Sequence, residues 1–118
     1  MLRVARVYTA PGPDDGARVL VDGLWPRGLR KETAHIDQWC KQVAPSAELR
    51  KWYSHRPDRF AEFERRYQAE LADPERSAAV ADLRRRAKSG TVTLLTATSD
   101  VALSHASVLA AAVKRRAN

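Results

Sequence analysis

Two short segments of this 118-residue chain gather the side chains most able to do chemistry. The first is Asp22-Gly23-Leu24-Trp25-Pro26-Arg27-Gly28. Pro26 biases Trp25 toward an extended backbone. With proline second and glycine fourth, residues 25–28 suit a type I turn that presents Arg27 at its corner. A guanidinium held there can grip a carboxylate or phosphate through two parallel hydrogen bonds. Trp25 would stack on a ring or cover the site, and Asp22 would act as an acid or base. The competing reading makes Asp22 and Arg27 a structural ion pair and Trp25 a core residue.

The second segment is Ser99, Asp100 and His105, where a strand gives way to a helix. A helix N-terminus after a strand offers free N–H groups to an anion. Asp100 competes for the same donors as a helix cap, and no glycine-rich loop accompanies it. His105 falls on the inner face of the helix, spaced with Val101 and Val108. It is either a satisfied core histidine or a general base whose charge is tuned by Asp22 or Asp100. His35 and His55 stand alone, and His55 ends a helix, where it can cap the last carbonyls. No spacing of His, Asp and Glu meets a metal-ligand rule. Cys40 has no activating base beside it and reads as a small buried hydrophobe. No nucleophile elbow of the G-x-S-x-G kind is present.

The elements that must carry these residues are legible from periodicity. Residues 2–8 and 17–22 read as strands, separated by the Pro/Gly/Asp-rich loop 10–16. Residues 23–32 form an ordered loop. Thr33 caps a predicted helix over 34–40 with Ile36, Trp39 and Cys40 on one side, and Pro45 ends it. Ser46 caps a second helix that aligns Leu49, Trp52 and Tyr53. Pro57 suits the first turn of a third, where Phe60, Phe63, Tyr67 and Leu71 make one apolar stripe. Arg59, Glu62, Arg66 and Glu70 fall opposite, as exposed pairs of small value. Asp73-Pro74 opens a fourth helix, with Val80, Leu83 and Ala87 inward and Ser89-Gly90 as its stop. Residues 91–96 are a third strand, and Asp100 caps the last helix.

The order β, β, several helices, β, α predicts a small α/β fold. Its sheet is mostly parallel with helices packed on it, in a three-layer α/β/α-like arrangement. The first two strands are joined by too short a loop for a helical crossover, so an antiparallel or edge pairing is open there. Ligands in such sheets bind beyond the carboxyl ends of the strands. If the second and third strands are parallel neighbours, the two chemical segments face one crevice.

Bulk properties bound the function. The length fits one domain, residues 1–118. Twenty-one Lys and Arg against 14 Asp and Glu give a formal charge of +7. A basic excess attracts nucleic acid or anionic metabolites. The runs Arg84-Arg85-Arg86 and Lys114-Arg115-Arg116 carry part of it, without an accompanying nucleic-acid motif. No apolar run approaches the roughly 18 residues of a membrane span. MLRVARVY lacks the apolar stretch of a signal peptide. A single cysteine forms no intramolecular disulfide, so a reducing, cytoplasmic setting is the expectation.

VLVDGLWPRGLRKE, APSAELRKWYSHRPDRFAEFERRYQAEL and TVTLLTATSD with SHASVL resemble, over nearly the whole chain, the YeaO-like branch of DUF 488. The LWPRG and ELRKW…H segments are the specific ones. The resemblance implies a small α/β protein with no established activity. It points to Asp22, Trp25, Pro26, Arg27, Gly28, His55, Asp100 and His105. The chain departs from the pattern at Gly23, where an Arg is usual. It departs again at Thr96 and Ser99, where bulkier aromatic and Lys residues are usual, which removes positive charge from the crevice. Longer relatives carry a cysteine where Ser104 stands, so thiol chemistry does not carry over.

These readings converge on a small-ligand binding protein or enzyme. Its ligand is an anionic metabolite or nucleotide, with Asp22, Arg27 and His105 as candidate catalytic groups. Trp25, Arg27, Gly28, His55, Ser99 and Asp100 are candidate ligand-binding groups. The alternatives are a basic nucleic-acid-associated or regulatory module without catalysis, and an interaction domain with no chemistry. No cofactor and no oligomeric state is named by the sequence.

Overall fold

In a computed structural model describing residues 1–115, four parallel strands form one sheet in the order β1-β4-β2-β3. They are β1 (Leu2–Arg6), β2 (Ala17–Leu20), β3 (Gln38–Trp39) and β4 (Val92–Thr96). Five helices accompany them: α1 (Lys31–Ala34), α2 (Ala47–Tyr53), α3 (Phe60–Glu70), α4 (Pro74–Ser89) and α5 (His105–Lys114). Arg116, the end of the C-terminal basic run, lies outside the described residues.

The small parallel α/β fold expected from the element order is present. The pairing of the first two strands differs from both options left open. β4 lies between them, with Leu2 to Arg6 opposite Val92 to Thr96 on one side and Ala17 to Leu20 opposite Val92 to Leu95 on the other. β4 is buried at every position, as an apolar, β-branched central strand requires.

One face of the sheet carries the main core. Val19, Val21, Val92 and Leu94 pack against Leu49 and Tyr53 of α2, Phe63 and Tyr67 of α3, Val80 and Leu83 of α4, and Val108, Leu109 and Val113 of α5. The predicted stripe of α3 forms most of its aromatic part, with Phe63 stacked on Tyr53 at 4.3 Å between centroids. Ser46 caps α2 by accepting from Leu49 N, and Asp73 caps α4 by accepting from Arg76 N. Glu70, expected on the exposed side of α3, instead accepts from the backbone N and the hydroxyl of Ser46 at 2.8 and 2.6 Å. It thereby ties the end of α3 to the start of α2.

The other face is covered thinly, by α1 and loops. Val7, Leu20 and Leu95 meet Trp25, Leu29, Ile36 and Trp39 there. The loop from β1 to β2 crosses this face, where a helix would normally serve as crossover. Buried Arg18 pins it, donating to Asp15 Oδ2 at 2.6 Å, to the His35 carbonyl at 2.9 Å and to the Thr9 carbonyl at 3.4 Å.

The helix predicted over 34–40 is not formed. α1 is a single turn closed by His35 in the left-handed region, φ 52°. Gln38 and Trp39 then pair with Val19 and Leu20 as an edge strand. Cys40 joins the main core while Trp39 joins the opposite cluster, the alternation of a strand and not a helical stripe. The last helix also starts later than predicted. A short 3₁₀ turn spans Val101–Leu103, Asp100 makes no side-chain cap, and extended Ser104 separates the turn from α5. No helix among the described residues is long and apolar enough to cross a membrane.

Candidate functional site

β2 and β4 are parallel neighbours, so their carboxyl ends open onto a common crevice. Asp22 follows β2 and Ala97 follows β4, and the Ala97 N–H donates to Asp22 Oδ2 at 2.8 Å. His105, the first residue of α5, reaches the same point. Its Nε2 lies 3.0 Å from the Val21 carbonyl and 3.3 Å from Asp22 Oδ1. A carbonyl oxygen only accepts, so Nε2 carries a proton and directs it to Val21. Asp22 Oδ1 is then buried beside the imidazole without a hydrogen bond of its own.

Burial pushes the Asp22 carboxyl up. Contact with His105, its charge, the Ala97 N–H and the Thr96 hydroxyl outweigh burial and hold the pKa below the usual aspartate value. Asp22 is therefore a carboxylate at neutral pH, a poor proton acceptor and a good charge partner. Nδ1 of His105 has no hydrogen bond among the described residues and is the ring atom free to meet a ligand.

These groups line a cavity of about 480 Å³, within the range of small-molecule sites. Its walls include Trp25, Pro26, Pro45, Tyr53 and Phe63, and its polar groups include Asp22, Arg27, Arg50, His55, Ser104 and His105. Arg50, on α2, is absent from the residues the sequence singled out. Its Nε is buried with no hydrogen-bond partner. No carboxylate pairs with it among the described residues. Its guanidinium carbon would lie 3.3 Å from a Cβ placed on Gly23. The Arg50 guanidinium thus sits close against the Asp22–Gly23 backbone, and a side chain at position 23 would crowd it. The sequence places Arg50 three residues before Tyr53, on the flank of the buried stripe of α2, but nothing in that spacing marks it as a site residue.

The Trp25–Gly28 segment is tied down by its own hydrogen bonds. Trp25 Nε1 donates to the Leu29 carbonyl at 2.8 Å, and Trp39 Nε1 donates to the Asp22 carbonyl at 2.7 Å. The two indoles meet edge to face at 5.5 Å. The turn is displaced by one residue from the expected register. Leu29 N donates to the Pro26 carbonyl at 3.2 Å, which makes Gly28 the third residue, with φ 78°. A positive φ at that position is the type II arrangement, which glycine alone adopts without strain. Arg27 is exposed at the rim of the cavity and makes no ion pair with Asp22, whose nearest ionisable neighbour is His105.

His55, Ser99 and Asp100 lie together one step away. With Tyr53, Thr98 and Leu103 they line an adjoining cavity of about 280 Å³. The Tyr53 hydroxyl donates to the Leu103 carbonyl at 2.6 Å and so fixes the 3₁₀ turn to α2. The carbonyl cap envisaged for His55 is taken by backbone groups, Ser54 N to Arg50 O and Arg56 N to Tyr53 O, each at 3.0 Å. Ser104 Oγ donates to the Val101 carbonyl at 2.6 Å. Cys40 is buried, and burial pushes its thiol up, away from reactivity. No group of three or more His, Cys, Asp or Glu among the described residues has the geometry of a metal site.

The chain is 58% identical to the uncharacterized protein Rv3073c of Mycobacterium tuberculosis strain H37Rv, over 92% of this chain and 90% of that one. The same figures hold for the uncharacterized protein Mb3100c of Mycobacterium bovis. The uncharacterized protein YeaO of Escherichia coli K12 is 40% identical, over 92% of this chain and 93% of its own. No solved structure matches the chain. A family model described as the inactive DUF488-N3 subclade matches residues 1–118, and it is to this DUF488 subclade, with YeaO among its relatives, that the chain belongs.

Proposed function

We propose that this protein binds a small organic anion in the crevice at the carboxyl ends of β2 and β4, and that it binds without turning it over. The observation that carries this reading is Arg50. Its guanidinium lines a cavity of ligand size and has no carboxylate partner among the described residues, so an anion that fills the cavity supplies the missing countercharge. His105 Nδ1 is placed to accept from a hydroxyl elsewhere on the ligand. Arg27 at the rim draws anions in, and the Trp25 and Tyr53 walls suit a ring or an alkyl chain. Asp22, ionised, stands beside His105 and does not itself accept protons. The word inactive in the family's description favours binding over catalysis. So does Ser104: the family resemblance implies a cysteine there in longer members, and the serine of this chain spends its hydroxyl on a backbone carbonyl. A reducing, cytoplasmic setting suits the lone buried thiol of Cys40.

The nucleic-acid alternative has less behind it. Arg84 donates to the Ala112 and Val113 carbonyls at the end of α5, Arg85 pairs with Asp82, and Arg86 donates to Gln38. The three arginines diverge and are engaged within the fold, so they do not make a phosphate-tracking stripe.

The test is thermal unfolding at fixed ionic strength with inorganic phosphate, alkyl phosphates and short carboxylates, on the parent, Arg50→Met and Arg27→Ala. An anion present at about 100 times its Kd stabilises by roughly 2.7 kcal/mol, a shift of several degrees. The shift is expected in the parent, reduced in Arg27→Ala and absent in Arg50→Met. A folded parent that no anion stabilises overturns the reading.

A further inference from the structure

The two cavities are halves of one groove. Both are lined by Tyr53, His55, Ala97 and Thr98, so their common boundary is a seam and not a wall of packed core. Their charges are opposed. The larger half holds the guanidiniums of Arg27 and Arg50 against one carboxylate, Asp22, which is set beside His105. The smaller half holds the Asp100 carboxylate and the Ser99 hydroxyl, and its one basic group is His55 on the seam itself. Asp100 is exposed and makes no ion pair among the described residues.

The seam is also where the backbone is most unusual. Ser54 and His55 are consecutive non-glycine residues in the left-handed region, with φ of 47° and 54°. Such conformations persist where the surroundings impose them, and they concentrate at ligand sites. Here they turn the chain sharply after α2 and leave the His55 ring on the seam, with no hydrogen bond to the protein among the described residues. Tyr53 on the other side is fixed by its bond to the Leu103 carbonyl. A ligand crossing the seam would pass between one anchored and one unanchored ring.

We propose that the ligand is dipolar: its anionic group lies against Arg50, its ammonium group lies against Asp100, and a short uncharged segment joins them across the Tyr53–His55 seam. This rests on the anion-binding reading above and narrows it from any small anion to one carrying an amine at its far end. A single-headed anion fills only the basic half. A dipolar one also satisfies Asp100, and the opposed charges fix its direction in the groove.

The experiment is calorimetric titration at constant ionic strength with a series of ω-aminoalkyl phosphates of increasing chain length, each compared with the alkyl phosphate of equal length. At the length that spans the seam, the amine is expected to tighten binding about fivefold, the upper range for a partly exposed ion pair. Asp100→Asn brings that ratio to about one. Equal affinity of amine and alkyl partner at every length overturns the dipolar ligand while leaving the anion site standing. So does an amine advantage that survives Asp100→Asn. If no phosphate in either series binds the folded protein, the anion site itself is refuted and this inference with it.

Discussion

His105 Nε2 lies 3.3 Å from Asp22 Oδ1 yet gives its proton to the neighbouring Val21 carbonyl, 3.0 Å away. The arrangement brings together the end of β2, the loop after β4 and the first residue of α5, with Ala97 N–H holding the other carboxylate oxygen. Asp22 is thus a structural charge inside the proposed binding site. Its ionisation has a consequence for stability. The folded-state pKa lies below the usual aspartate value, so folding favours the ionised form. That contribution is fully present above the unfolded-state pKa and is lost as pH falls through the folded one. Asp22→Asn should therefore be less stable than the parent near neutrality, by about 1–3 kcal/mol, because an amide N–H then faces the Nε2 proton or an acceptor is lost to Ala97. Below about pH 4 the difference should shrink, since the parent has lost its own advantage there. Urea unfolding of both proteins across that range checks it. A gap of constant size down to the most acidic point would show that the Asp22 charge has no part in stability.

Gly23 gives a prediction about affinity with little change in fold. A Cβ there would stand 3.3 Å from the Arg50 guanidinium carbon and 3.3 Å from the Ala44 Cβ. The first of these neighbours is the end of a flexible side chain and yields. Gly23→Ala is expected to remain folded, with a stability change of about 1 kcal/mol or less. Phosphate binding should weaken, because the Arg50 guanidinium must shift by a few tenths of an ångström. Titration of phosphate into the variant decides this, and affinity equal to the parent's would mean that the position of Arg50 does not matter to the site.

How much of this was legible beforehand follows the range of the interactions. Ser46, Asp73-Pro74 and the Phe60–Leu71 stripe are local signals, and each produced the element it predicted. The segment 31–40 misled because Ile36, Trp39 and Cys40 fit helical spacing. A two-residue edge strand is too short to display alternation, and its pairing partners, Val19 and Leu20, lie some twenty residues away. The insertion of β4 between β1 and β2 is likewise non-local. In the site, the two chemical segments were legible as segments, and the parallel β2–β4 pairing brings them to one crevice. Arg50 was not legible as a site residue. Its interest lies in having no partner, and a missing partner is a property of the folded surroundings and not of the ELRKW sequence.

His55 separates the roles of strain and binding. Its φ of 54° costs a non-glycine residue about 1–2 kcal/mol relative to the right-handed region. Glycine adopts that conformation freely, at an entropic cost of roughly 0.5–1 kcal/mol. His55→Gly should leave the melting temperature unchanged or raise it by a few degrees. Affinity for aminoalkyl phosphates should fall, since the ring that bounds the seam is gone. A variant that binds as well as the parent removes His55 from the site, and a strongly destabilised one would show that its ring carries structural weight.

Gly16 is the position where the fold has least tolerance. Its φ is 63°, and a Cβ would stand 2.1 Å from the Thr91 carbonyl oxygen. That neighbour is backbone on the approach to the central strand, and Ala17 N donates to the same oxygen at 3.0 Å. Moving it would break the contact that sets the start of β2 against β4. Unlike the Gly23 case, no flexible side chain can give way. The left-handed backbone adds its own penalty of about 1–2 kcal/mol for alanine. Gly16→Ala is therefore expected to lose about 4 kcal/mol or more, among the largest effects of a single substitution. Gly28→Ala, with φ 78° but nothing within 4 Å of the added Cβ, should lose only the backbone penalty. Denaturant unfolding of the two variants side by side isolates the steric part. Similar losses in both would mean that the Gly16–Thr91 approach relaxes at little cost, and that the crossing loop does not fix the register of β2.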